Sequence, residues 1–97
     1  MKLRFSKQSI QDLTAIAEYA HTHNPAAAQR VRSAILDSIQ TLLQFPLVGR
    51  RQTVERVRKL VTRKYPYLVY YTVDLKTEEV VILTIQHPAR QRDFTDA

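Results

Sequence analysis

The residues of this chain that could do chemistry are crowded into its second half. Between Arg50 and Lys64 stand Arg50, Arg51, Arg56, Arg58, Lys59, Arg63 and Lys64, opposed only by Glu55, and Arg90 and Arg92 follow later. Cations at this density can hold the phosphates of a nucleic acid, stabilise negative charge developing on a scissile phosphate without a metal, or seat an acidic protein. The plainer alternative is a solvated strand face. His87 adds an imidazole, the side chain that ordinarily exchanges protons near neutral pH, as attack by a ribose 2′-hydroxyl requires. It alternates with Ile85, Leu83 and Val81, however, which places it at the end of a largely apolar strand face, where a hydrogen-bonded structural histidine is the common outcome. Tyr65 or Tyr67, beside the cations, could stack on a base.

Other chemistries are poorly supplied. With no cysteine and three histidines there is no thiolate and no zinc set, and nothing near His21 and His23 completes a metal site, so neither metal nor cofactor is expected. No Ser-His-Asp order, glycine-rich phosphate loop or paired carboxylates occur. Asp12, Glu18 and Asp37 fall on the outsides of helices and read as solvated.

These side chains must be held by a small set of elements. Lys2 to Phe5 can form a short strand, and Ser6 suits an N-cap. Ile10, Leu13, Ala17 and Ala20, widened by Ile16, recur on one face of a helix over about Lys7 to His21. Asn24-Pro25 starts a second helix, with Val31, Ile35, Ile39, Leu42 and Leu43 as its buried stripe, Ala34 and Ser38 on the flank, and Phe45-Pro46 as its end. Few residues separate the two, so they form an antiparallel hairpin. Gly49, the only glycine, would permit a positive φ where the chain turns toward the sheet.

Three β-rich runs follow, Arg56 to Thr62, Tyr67 to Asp74 and Val80 to Gln86, broken at Pro66 and at Lys76-Thr77-Glu78; together they make an antiparallel meander. In the middle run Tyr67, Val69, Tyr71 and Val73 share one face and Leu68, Tyr70 and Thr72 the other, so the tyrosines cannot all stack on one ligand and most should serve packing. Helices first and strands afterwards give an α+β layer pair in one domain spanning 1–97. The formal charge of +6 and a pI near 10.0 favour polyanionic or acidic partners. No run approaches the ~20 apolar residues of a membrane span, and no leader is evident, so a soluble, cytoplasmic, unprocessed chain is expected.

In this order, Tyr65-Pro66-Tyr67-Leu68-Val69-Tyr70-Tyr71, Ile85-Gln86-His87-Pro88-Ala89-Arg90, Asp12-Leu13, Phe45-Pro46 before Gly49, and Arg58-Lys59-Leu60 together make the chain resemble the RelE/ParE superfamily of toxins. The likeness spans nearly the whole chain and is strongest to the ParE-like, plasmid-stabilisation subgroup, which often shares the His-x-x-Arg ending. It implies the toxin of a type II toxin–antitoxin module, with a β-α-α-β-β-β fold, neutralised by a small, acidic, partly disordered antitoxin that alone contacts operator DNA. ParE-like members poison DNA gyrase and RelE-like members cut messenger RNA on the ribosome. The resemblance favours gyrase inhibition by contact, with Arg58, Lys59, Arg63, Lys64 and Arg90 as the surface for antitoxin or target. A metal-independent endoribonuclease using His87, Arg90 and Arg63 is the alternative. RelE-like nucleases often carry a tyrosine or another acid–base group near the C-terminus, where Phe94 is the only aromatic after His87.

Overall fold

In the computed structural model of the chain, residues 1–88 are described. The order is β1 (Lys2–Phe5), α1 (Lys7–His23), α2 (Pro25–Gln40), a short 3₁₀ turn (Thr41–Leu43), β2 (Arg50–Arg51), β3 (Arg58–Val61), β4 (Leu68–Asp74) and β5 (Glu79–Gln86). The strands form one sheet in the order β1-β5-β4-β3-β2. The α+β class and the β3-β4-β5 meander follow the sequence expectation. The sheet is mixed rather than wholly antiparallel, because β1 pairs parallel to β5; two-residue β2, antiparallel to β3, adds an unforeseen edge. Among the described residues no helix is long and apolar enough to cross a membrane.

Capping chemistry places the helices. Ser6 Oγ accepts the Ser9 N–H at 3.0 Å, and Asn24 both ends α1, giving its N–H to Ala20, and starts α2, accepting from the Ala26 N–H. A joint of one residue leaves α2 no course but back along α1. The inner faces of α1 and α2 bury Leu13, Val31, Ile35 and Ile39, joined by Leu42, against Val69, Tyr71, Val80, Ile82 and Ile85 of the sheet. The opposite sheet face carries a smaller cluster of Val57, Leu68 and Tyr70, with Leu83 against it. The tyrosines of β4 thus alternate as expected, Tyr71 toward the helices and Tyr70 away.

Four details differ from the sequence reading. Leu43 is 37% exposed, because the chain tightens into the 3₁₀ turn after Gln40 and its wider angular step rotates that side chain off the helical stripe. Ile10 is exposed at the first turn of α1, at the rim of a groove between the helices. The β4–β5 ladder shifts register between Tyr70 and Tyr71, so Tyr70 faces Thr84 while Tyr71 faces Ile82. This bulge breaks the expected alternation: Leu83 goes to the outer cluster while Ile82 and Ile85 both face the helices.

The fourth concerns Asp12, which is not solvated. Its Oδ2 accepts from Thr84 Oγ1 at 2.6 Å and from the Ile85 N–H at 3.0 Å, and Oδ1 accepts from Gln8 Nε2 at 2.8 Å. The bulge interrupts the regular ladder, and the α1 carboxylate takes up the N–H beside it. Ser6 Oγ meanwhile donates to the Leu83 carbonyl at 2.7 Å. Glu18 and Asp37 are exposed as expected.

Asp12→Ala should leave the Ile85 N–H and the Thr84 hydroxyl without that acceptor, an expected loss of ~1–3 kcal/mol. For a domain of this size each kcal/mol lowers Tm by roughly 4–8 °C, which thermal unfolding followed by circular dichroism will read.

Candidate functional site

The basic strand is divided by its own pleat. Arg58 and Leu60 pair with Tyr71 and Val69 and lie on the helix side, whereas Lys59 and Val61 pair with Tyr70 and Leu68 and lie on the other. Arg58 and Lys59 therefore cannot address one phosphate from the same face. One Arg58 guanidinium nitrogen donates to the Leu47 carbonyl at 3.1 Å and to the Gly49 carbonyl at 2.9 Å. Lys59 is half-buried.

Arg63 and Lys64 are exposed on the turn that joins β3 to β4. That turn is tightly fastened: the Arg63 N–H donates to Ser38 Oγ of α2 at 3.1 Å, the Thr62 hydroxyl donates to the Tyr65 carbonyl, and the Tyr67 N–H donates to Thr62 Oγ1 at 2.9 Å. Lys64 takes a left-handed backbone with φ 67°, as do Arg56 (68°) and Glu78 (55°) in their own turns. These turns use side chains at positions where glycine is the ordinary choice, while the one glycine has no positive φ.

Gly49 serves a spatial purpose instead. A Cβ there would lie 2.5 Å from the Tyr71 hydroxyl oxygen and 2.7 Å from a ring carbon. The close approach lets the Gly49 N–H donate to the Tyr71 hydroxyl at 2.8 Å, and that hydroxyl donates to the Pro46 carbonyl at 2.8 Å. Burial pushes the Tyr71 phenol up from its usual range, partly offset by the Gly49 N–H and by Arg58.

Between α2 and the edge of β3 runs a groove of about 770 Å³, lined by Ala34, Phe45, Val48, Leu60 and Val61, with Arg30, Arg63, Lys64 and Asp37 among its polar residues. Strand β2 pairs only with Arg58 and Lys59, so among the described residues Leu60 and Val61 have no strand on that side. Phe45 and Val48 are 62% and 61% exposed. The sequence reading has Phe45-Pro46 end the second helix and the chain turn toward the sheet at Gly49, and it misses the apolar surface of this stretch; the signal available was an apolar run with neither helical nor strand period.

Tyr65 lies at the same groove. Tyr67 turns toward His87, their rings edge to face with centroids 5.8 Å apart, and burial first, then Tyr19, raises its phenol pKa. His87 is exposed just past β5. Arg90, Arg92 and Phe94 lie outside the described residues. Among those described, no group of three or more His, Cys, Asp or Glu side chains could hold a metal.

Comparison with known proteins places this geometry. Residues 3–92 match the model of the ParE toxin of type II toxin-antitoxin system, parDE. Toxin RelE2 of Caulobacter vibrioides is 36% identical over 84 residues, covering 86% of this chain and 90% of that protein. The fold is similar to a chromosomal ParDE toxin–antitoxin structure from Pseudomonas aeruginosa, with TM-score 0.79, 24% identity, and 90% and 95% of the two chains covered. It is also similar to the intact Escherichia coli RelBE toxin–antitoxin complex, with TM-score 0.70, 14% identity, and 92% and 98% covered.

The Tyr71 pocket predicts two outcomes. Gly49→Ala should drive a methyl group into a buried ring and destabilise by ~1–3 kcal/mol in denaturant titration. Because the phenols of Tyr71 and Tyr67 are raised in the fold, their contribution is complete below the unfolded tyrosine pKa of about 10 and is lost as pH rises through the higher folded values. Unfolding at pH 9 to 12, with phenolate absorbance alongside, should show that decline, and Tyr71→Phe should flatten part of it.

Proposed function

The chain belongs to the ParE toxin family of type II toxin–antitoxin systems, and from that premise we propose that it inhibits DNA gyrase by contact, without a covalent step of its own. The match to the ParE model across residues 3–92 carries this reading. The division of Arg58 from Lys59 across the sheet and the commitment of the Arg58 guanidinium to loop carbonyls support it, since a phosphate clamp needs cations converging from one side. A cognate antitoxin neutralises the toxin and seats a segment in the groove between α2 and β3. That segment is amphipathic, with apolar residues against Phe45, Val48 and Val61 and acidic ones against Arg30, Arg63 and Lys64. Operator DNA is reached through the antitoxin.

A second reading, ribosome-dependent messenger RNA cleavage, is favoured by one observation: the relative at 36% identity is named Toxin RelE2. In it the exposed His87 would move the proton and Arg63 and Arg90 would hold the phosphate.

One paired assay on antitoxin-free protein separates the two. Gyrase supercoiling and cleavage-complex formation are followed in one reaction, ribosome-dependent messenger RNA cleavage in the other. Lost supercoiling with trapped broken DNA and intact RNA is the expected result; cut RNA with normal supercoiling would replace the gyrase reading by the nuclease one. For the antitoxin seat, Arg63→Glu with Lys64→Glu should weaken the complex in a salt-dependent manner, by about 1–3 kcal/mol at low salt. Unchanged affinity would remove this turn from the interface.

A further inference from the structure

The loop that carries Phe45, Leu47 and Val48 is fastened from below by the sheet. Among the described residues Pro46 to Gly49 makes no strand ladder, and the Val48 N–H donates to the Phe45 carbonyl at 3.2 Å. Two side chains fasten the loop further, the Tyr71 hydroxyl on the Pro46 carbonyl and Gly49 N–H, and the Arg58 guanidinium on the Leu47 and Gly49 carbonyls. A loop fastened only to close the core would turn its apolar side chains inward. Here Phe45, Leu47 and Val48 all remain more than half exposed, at 62%, 56% and 61%.

We propose that Tyr71 and Arg58 are positioning residues for antitoxin binding, holding the Pro46–Gly49 backbone so that Phe45 and Val48 stand already ordered at the groove. The proposal rests on the reading of the α2–β3 groove as the antitoxin's seat. Its physical basis is that ordering a loop upon association subtracts from affinity, whereas a loop ordered beforehand contributes its apolar contacts without that loss. It also gives Gly49 a reason beyond packing: any side chain there would push the loop off the Tyr71 hydroxyl that aligns it. The occupant is a segment whose apolar side chains meet Phe45 and Val48 while acidic ones meet the Arg63–Lys64 turn.

The test uses the full chain and its purified cognate antitoxin, at a temperature where every variant is folded. Tyr71→Phe keeps the buried ring and removes the hydroxyl. Arg58→Lys keeps the charge but replaces the long planar guanidinium, whose terminal nitrogen reaches both carbonyls, with a shorter ammonium. Leu13→Ala lowers stability from α1, away from the loop. Both positioning variants should bind roughly tenfold more weakly, with a less favourable binding entropy, as expected when a few interface residues must be ordered on association. Their Leu47, Val48 and Gly49 amides should exchange faster with solvent, while Leu13→Ala binds as the parent does despite a lower Tm. Parental affinity in Tyr71→Phe and Arg58→Lys, with binding lost in Val48→Asp, would overturn the positioning role and leave the groove reading standing. Parental affinity in Val48→Asp and Val61→Asp would overturn the groove reading and this proposal with it.

Discussion

The fold hangs on the meeting of α1 with the bulge in β5. A regular ladder would let the helical layer slide along a uniform apolar sheet, whereas the bulge offers polar groups at one place only. Ser6, the N-cap of α1, and Asp12 in its second turn take the Leu83 carbonyl, the Thr84 hydroxyl and the Ile85 N–H. Once α1 is fixed, the one-residue joint at Asn24 fixes α2, and α2 with β3 defines the groove. The Arg63 N–H on Ser38 then ties the far side of that groove to the same helix. The surface through which this toxin would meet its partner is thus set by contacts that α1 makes with β5, away from the groove itself.

Much of this was legible in the residues. The helical stripes, the two caps and the three β-rich runs each repeat a local rule several times over, so single exceptions do not obscure them. What escaped depends on one partner far away in sequence. Asp12 sits beside Leu13 at the border of a polar face; Gln8 reaches its Oδ1 from the same helix, but the partners of its Oδ2 come from the bulge, which nothing in Ile82-Leu83-Thr84 announces. Gly49 looked like a conformational residue because that is the usual use of glycine; its neighbour Tyr71 lies on a strand whose register the sequence does not specify. Of the site residues, Arg58 and Lys59 read as one patch because they are adjacent, yet adjacency in a strand means opposite faces.

That separation bears on how one fold serves distinct targets. The helix side of the sheet is occupied by the core, and there Arg58 is drawn into loop carbonyls. Lys59 lies on the outer side with Tyr70 and Leu68. The exposed pair, Arg63 and Lys64, stands at the end of the groove, where an acidic partner and a polyanion would compete for the same charge. The backbone alone does not fix which cations the core leaves available, so a shared fold does not by itself dictate a shared target.

The parallel pairing of β1 with β5 has a kinetic consequence. Lys2 lies opposite Glu79 and Phe5 opposite Ile82, so the first strand made must wait for the last. Contacts this distant along the chain close slowly and late. At roughly 5–20 residues per second of synthesis, the wait is on the order of ten seconds, during which Lys2–Phe5 has no strand to join and Asp12 has no bulge to bind. A nascent chain is therefore unable to complete its sheet until Glu79–Gln86 has left the ribosome, however early its helices form.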